Sequence, residues 1–205
     1  MKHTAIVICL MIILVSVNLA TEVNGAVSTS EELTEERMTF IRHGFYESVE
    51  SHSKTDRMIE YIESTFTEEF IFNEPVLLAY YGALNALKAK HVFNPFSKIS
   101  YLRSALRKLE EATYEGACKI EVRFLRFSVL HNIPSFLGYR EELENETNAV
   151  YELLLVDEQY RDLDHRMTLN VIEFILESNR FDEERHQQLQ SLEKQLKVNE
   201  HVSTD

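Results

Sequence analysis

The sequence has no tryptophan, only three prolines and five glycines, and just two cysteines. So few glycines and prolines leave little material for the tight turns of a β-sandwich or for glycine-rich phosphate-binding loops. Basic residues are also the minority, with 21 Lys and Arg against 34 Asp and Glu and a formal charge of −13. That balance argues against a nucleic-acid partner, which needs clustered cations facing its phosphates. The hydrophobic share of 44% is high enough to exclude wholesale disorder.

Residues 1–26 have the pattern of a secretory signal peptide. A basic start at Lys2 and His3 precedes an apolar run from Ala5 to Val17, which is shorter than the ~20 residues of a membrane-spanning helix. The alternative is an uncleaved membrane anchor, and membrane contact is expected only in that case. We therefore predict that the chain is exported. Cys118 is then the only cysteine left, so an exported domain must be stable through packing alone.

Past the leader, helical periodicity dominates and predicts an all-α domain over residues 27–198, followed by a disordered tail at 199–205. About seven or eight helices with short connections suggest stacked antiparallel pairs. The first helix is predicted to open at Ser30, which is a good N-cap residue. The helix beginning at Pro75 is apolar nearly all round, which places it in the centre of the bundle.

The small-large-small spacing of Ala105, Leu109 and Ala112, with Gly82 before it, is typical of a tetratricopeptide unit of irregular length. Two longer runs, Tyr81–Lys98 and Arg123–Tyr139, carry a further likeness. Over roughly residues 75–145, the middle third, the chain resembles uncharacterised exported bacterial helical proteins with a tetratricopeptide-like fold. The resemblance implies the fold and a location in the periplasm or cell envelope of a bacterium, and it brings no established activity.

Two kinds of catalytic or metal chemistry have weak sequence support. Arg42-His43-Gly44 matches the phosphate-binding string of histidine phosphatases, but that chemistry needs a strand before it, and an acidic helix start precedes it here. The eight histidines are scattered without metal-ligand spacing. We therefore expect no catalytic residues, no metal and no cofactor, and a phosphate-ester hydrolase remains the alternative, beside a membrane-tethered structural protein.

Arginines on a helix expected to be central are the most unusual feature. Arg123 and Arg126 must be paired or face a water-filled groove. One possibility is pairing with a structural carboxylate such as Glu110, Glu111 or Asp157. The other is a groove for an anionic group, ringed by aromatics from two proline-containing connections. Those aromatics could instead simply close the ends of the helical core. The candidate binding residues are Arg123, Arg126, His131, Phe93, Phe96, Phe136 and Tyr139. The sequence thus predicts a non-catalytic binding or scaffold protein with a protein or peptide partner, its oligomeric state left open.

Overall fold

The protein is all-α within residues 32–155 and 163–202, the parts of the chain that the computed structural model describes. The nine helices of these ranges are α1 (Glu35–Ser48), α2 (His52–Thr65), α3 (Glu68–Asn73), α4 (Pro75–His91), α5 (Pro95–Glu115), α6 (Ile120–Asn132), α7 (Arg140–Leu155), α8 (His165–Glu177) and α9 (Glu183–Val202), with one 3-10 turn at Ser135–Leu137. The described ranges contain no strand, so the all-α prediction is confirmed for them.

Most helices begin where the sequence supplies a side chain that accepts a hydrogen bond from a free backbone N–H. The capping residues of this kind are Thr34, Ser51, Thr67, Asn94 and Asp164. The helix α4 has no such side chain and begins with proline in its first turn, and α5 has a first-turn proline in addition to its cap. The missing N–H of proline costs nothing at this position. The helix boundaries are therefore set largely by local chemistry.

The central position predicted for α4 is confirmed. This helix contacts α1, α2, α3, α5 and α6, and most of its side chains are buried. Its closest neighbour is α5, because Gly82 has no side chain to keep the two helices apart. A methyl group on Gly82 would lie 3.0 Å from Cγ of Leu109 and 3.2 Å from the carbonyl oxygen of Ala105. The small residues of α4 thus permit this close approach.

The buried apolar residues form two clusters. The first is built from α1 to α4 with side chains of α5 and α6, and includes Ile62, Leu78 and Leu109. The second is built mainly from α6 to α9, and includes Phe127, Ile172 and Leu189. Because α6 contributes buried residues to both clusters, it connects the two halves of the core.

Some boundaries differ from the predicted ones. The first helix starts at Glu35 behind Thr34 rather than at Ser30, since residues 32–34 are not helical. The short helix α3 was not predicted, which raises the count to nine in the described ranges. The last helix continues to Val202, beyond the expected start of the tail at residue 199. The predicted signal peptide, residues 1–26, lies outside the described residues.

None of the described helices has the length and hydropathy that crossing a lipid bilayer would require.

Candidate functional site

The Arg42-His43-Gly44 string lies inside α1, with its histidine exposed and its arginine engaged by carboxylates. Arg42 donates from Nε and Nη2 to the two carboxylate oxygens of Glu121, at 2.8 and 3.0 Å, and from Nη1 to Glu35 at 2.8 Å. The phosphatase chemistry needs a strand that aims the histidine into a pocket, and α1 is a helix. The hydrolase alternative therefore has no structural support at this string.

Glu121 is the centre of a buried polar cluster that joins α1, α4 and α6. Only 4% of Glu121 is exposed, and besides Arg42 it accepts a hydrogen bond of 2.6 Å from the hydroxyl of Tyr80. Burial, followed by the negative charge of Glu121, raises the pKa of Tyr80 well above its ordinary value. The hydrogen bond to Glu121 is the main cause that raises the pKa of Arg42. The charges of Arg42 and Glu121 compensate each other within the cluster, and their contacts hold α1, α4 and α6 in position.

Arg123 and Arg126 meet a structural carboxylate, which is one of the two possibilities that the sequence left open. Both donate from Nη1 to the same oxygen of Glu146 on α7, at 2.8 and 2.7 Å. Glu146 is only 1% exposed, and Arg126 also donates to the hydroxyl of Thr113 on α5. The partner is thus neither Glu110 nor Glu111, which are exposed on α5.

Asp157, the third carboxylate considered as a partner, lies outside the described residues.

The structure does not bring Phe93 and Phe96 to these arginines. Phe96 is at the first turn of α5, whereas Thr113, which contacts Arg126, is close to its other end. At a rise of ~1.5 Å per residue, the two positions are roughly 25 Å apart along the helix. Phe93 is fully exposed and Phe96 is 83% exposed. The aromatic side chains of this connection therefore form a separate surface.

The two aromatic side chains of the connection between α6 and α7 differ in exposure. Phe136 in the 3-10 turn is 83% exposed, while Tyr139 is partly buried against the second apolar cluster. The turn ends at Gly138, whose positive φ of 88° is a conformation that glycine adopts without strain. Phe136 is therefore presented to solvent, and Tyr139 helps to close the core.

His131 is a packed residue at the end of α6. Its ring contacts those of Phe127 and Phe174, and its Nδ1 accepts a hydrogen bond of 2.9 Å from Nε of Arg180. Burial, followed by the positive charge of Arg180, lowers the pKa of His131. The ring is thus held in its neutral form within a hydrogen bond to the protein.

A charge pattern around the exposed phenylalanines is an additional feature that the sequence reasoning missed. Between Glu74 and Glu110 the chain has no acidic residue and six Lys or Arg, although the whole chain is strongly acidic. On α5 the exposed positions Phe96, Ile99, Arg103 and Arg107 recur at helical spacing and share one face. We refer to Phe93, Phe96 and Ile99 as the aromatic tip. Plotting charge sign along the chain would have found this segment.

No group of three or more His, Cys, Asp or Glu side chains that could hold a metal ion occurs in the described ranges. Comparison with known proteins finds no matching family model, no matching curated protein and no matching solved structure. The likeness to exported bacterial helical proteins therefore remains a prediction.

Proposed function

We propose that the chain is a non-catalytic helical binding protein that acts as a scaffold in the cell envelope and contacts a protein or peptide partner. The observation that carries this proposal is the exposure of Phe136, which is 83% exposed in the connection between α6 and α7. Large exposed aromatics contribute little to the stability of the free protein. They are, however, enriched in protein interfaces, where they supply most of the binding energy.

The buried ionic groups support a binding role in preference to catalysis. Arg42, Arg123 and Arg126 are each paired with a buried carboxylate, Glu121 or Glu146, so their charges are already compensated within the protein. The side chains left for function are those at the surface. Their placement at helix connections suits contact with another macromolecule, because connections tolerate functional residues better than helix interiors do.

The finer parts of the proposal concern arrangement and location. We infer an irregular tetratricopeptide-like stacking, for which consecutive helix contacts such as those of α4 with α5 and of α6 with α7 are the supporting feature. Export through the leader at residues 1–26 is the expected route to the envelope. A domain with the single exposed thiol of Cys118 and two apolar clusters suits that compartment, because it needs no disulfide.

Site-specific photocrosslinking tests the proposal. A photoreactive residue at position 136 should give a crosslinked product of defined mass in the native cells. The matched control is Glu60, which is exposed on α2 and remote in sequence from both aromatic connections. A product from position 136 that is absent from position 60 supports a protein partner. Absence of a product at position 136, or equal products at positions 136 and 60, contradicts it.

A further inference from the structure

The connection between α4 and α5 projects apolar side chains from a well-fixed turn. Only three residues, 92–94, separate the two helices. The side chain of Asn94 accepts hydrogen bonds of 2.9 and 3.2 Å from the amides of Phe96 and Ser97, and the amide of Val92 donates to the carbonyl of Lys88. The turn therefore holds the aromatic tip outside the protein surface instead of folding it back onto the core.

Cations without carboxylate partners accompany the aromatic tip. Lys98, Arg103 and Arg107 are exposed, and within residues 32–155 and 163–202 none of them forms an ion pair. Two further cations at the base of the tip are already neutralised, since Lys88 pairs with Asp56 and Lys90 with Glu50. The remaining charge of the tip is thus positive, although the chain as a whole carries −13.

We propose that the aromatic tip inserts into a lipid surface that contains anionic headgroups. Phenylalanine side chains at the level of the acyl boundary, with Lys and Arg facing the headgroups, are the combination by which peripheral proteins bind such surfaces. The inference uses the proposed function only in taking this connection as a contact surface. It departs from the expectation that membrane contact requires a retained leader.

Shape and charge favour a lipid surface over a protein groove. Phe93 is fully exposed, so no wall of this protein contributes to a pocket around it. A protein partner would have to supply a complete cavity for Phe93 and Phe96, whereas a bilayer admits a projecting side chain without a preformed cavity. The tip and the adjoining part of α5, residues 92–109, also lack carboxylates, which anionic headgroups would repel.

The absence of tryptophan from the chain provides a position-specific test. Phe96→Trp in the full chain places the only indole at the tip, and vesicles of phosphatidylcholine with phosphatidylglycerol carrying brominated acyl chains then act as quencher. The control is Tyr114→Trp, which lies on the same exposed face of α5 but between Glu110, Glu111 and Glu115. Any insertion of the leader is common to both variants, so a difference in quenching between them reports on the tip.

We expect F96W to shift its emission to shorter wavelength and to be quenched on the anionic vesicles, while Y114W keeps the emission of an exposed indole. Adding K98Q and R103Q to F96W should raise the lipid concentration for half-maximal quenching about 30-fold, from ~1 kcal/mol for each cation near an anionic surface. Unchanged emission of F96W, or equal quenching of F96W and Y114W, overturns the proposal. A crosslink from position 136 is unaffected by that outcome, so the two proposals fail separately.

A crosslink from position 96 to a protein, together with an F96W indole that vesicles leave unquenched, would assign the tip to a protein contact and also overturn the lipid proposal.

Discussion

Replacing Glu121 with glutamine should strongly destabilise the protein, because this carboxylate compensates a cation and a hydroxyl inside the core. Glu121 accepts two hydrogen bonds from Arg42 and one from the fully buried Tyr80. Breaking a buried ion pair by removing one partner costs about 3–5 kcal/mol. The Arg42 side chain is 20% exposed and keeps its contact with Glu35, so we take the lower end, ~3 kcal/mol.

A loss of ~3 kcal/mol is a large part of the 5–15 kcal/mol by which domains are typically stable. Urea unfolding followed by far-ultraviolet circular dichroism measures it as a lower midpoint with an unchanged slope. The matched control is Glu35→Gln, which removes an exposed carboxylate from the same arginine and should cost less than about 0.5 kcal/mol. Equal free energies of unfolding for E121Q and E35Q would refute the reasoning.

A double replacement separates the ion pair from the packing around it. The variant R42M/E121Q removes both charges, so it should be less destabilised than the two single losses together, with a coupling free energy of roughly 1–3 kcal/mol. If the two losses simply add, then Arg42 and Glu121 do not interact in solution, and the assigned role of Glu121 is wrong.

Three further predictions concern other contacts. E146A should lower the free energy of unfolding by about 3–5 kcal/mol in urea titration, because both arginines of α6 lose their common partner; a loss below 1 kcal/mol contradicts the pairing. Gly82→Leu should lower the free energy of unfolding by about 1–3 kcal/mol, because the new side chain forces α4 away from α5. Ser100→Leu on the exposed face of α5 is the control and should change stability little. Equal effects of the two replacements contradict the close approach of the helices. Because the pKa of His131 is lowered in the folded protein, the unfolded chain binds a proton there more readily, and the free energy of unfolding should fall as the pH drops below the ordinary pKa of 6.5. His131→Gln should make this fall shallower in urea titrations at several pH values. An unchanged pH dependence contradicts the prediction.

The parts of the fold that the sequence predicted are those that local chemistry decides. Residues 120–132 carry a dense apolar pattern, and α6 occupies those positions. Proline at the first position and apolar residues all round placed α4 both in sequence and in the centre of the bundle. The predicted start of α1 was wrong because Ser30 and Thr34 are both good N-cap residues, and the sequence alone gives no reason to prefer Thr34.

The short helix α3 escaped prediction for another reason. Its six residues, Glu68–Asn73, complete less than two turns, so that no apolar periodicity can develop. Only the cap at Thr67 and the buried side chain of Ile71 mark it, and the burial of Ile71 depends on packing against neighbouring helices. Short elements of this kind are set by tertiary contacts more than by pattern.

The candidate site was predictable only in part. Pairing with a carboxylate could be anticipated for Arg123 and Arg126, because buried guanidinium groups need partners. That Glu146 is this partner could not be anticipated, because it lies 23 and 20 residues after the two arginines and contacts them only when α7 packs on α6. The aromatics beside Pro and Gly were expected around the arginines or as plugs of the core, but Phe93 and Phe96 are exposed and lie far from the arginines because α5 is long.

The two buried ionic clusters together explain how α6 is fixed between the two halves of the core. With 100° between successive residues of a helix, Glu121 points roughly opposite to Arg123 and Arg126. One side of α6 is therefore held by Arg42 and Tyr80, and the other by Glu146. Turning α6 to another register would bury unpaired charges on both sides at once, a cost that adds to the loss of side-chain packing. The clusters thus specify one arrangement of helices, and that fixed framework is what would allow exposed side chains at the helix connections to meet a partner in a defined geometry.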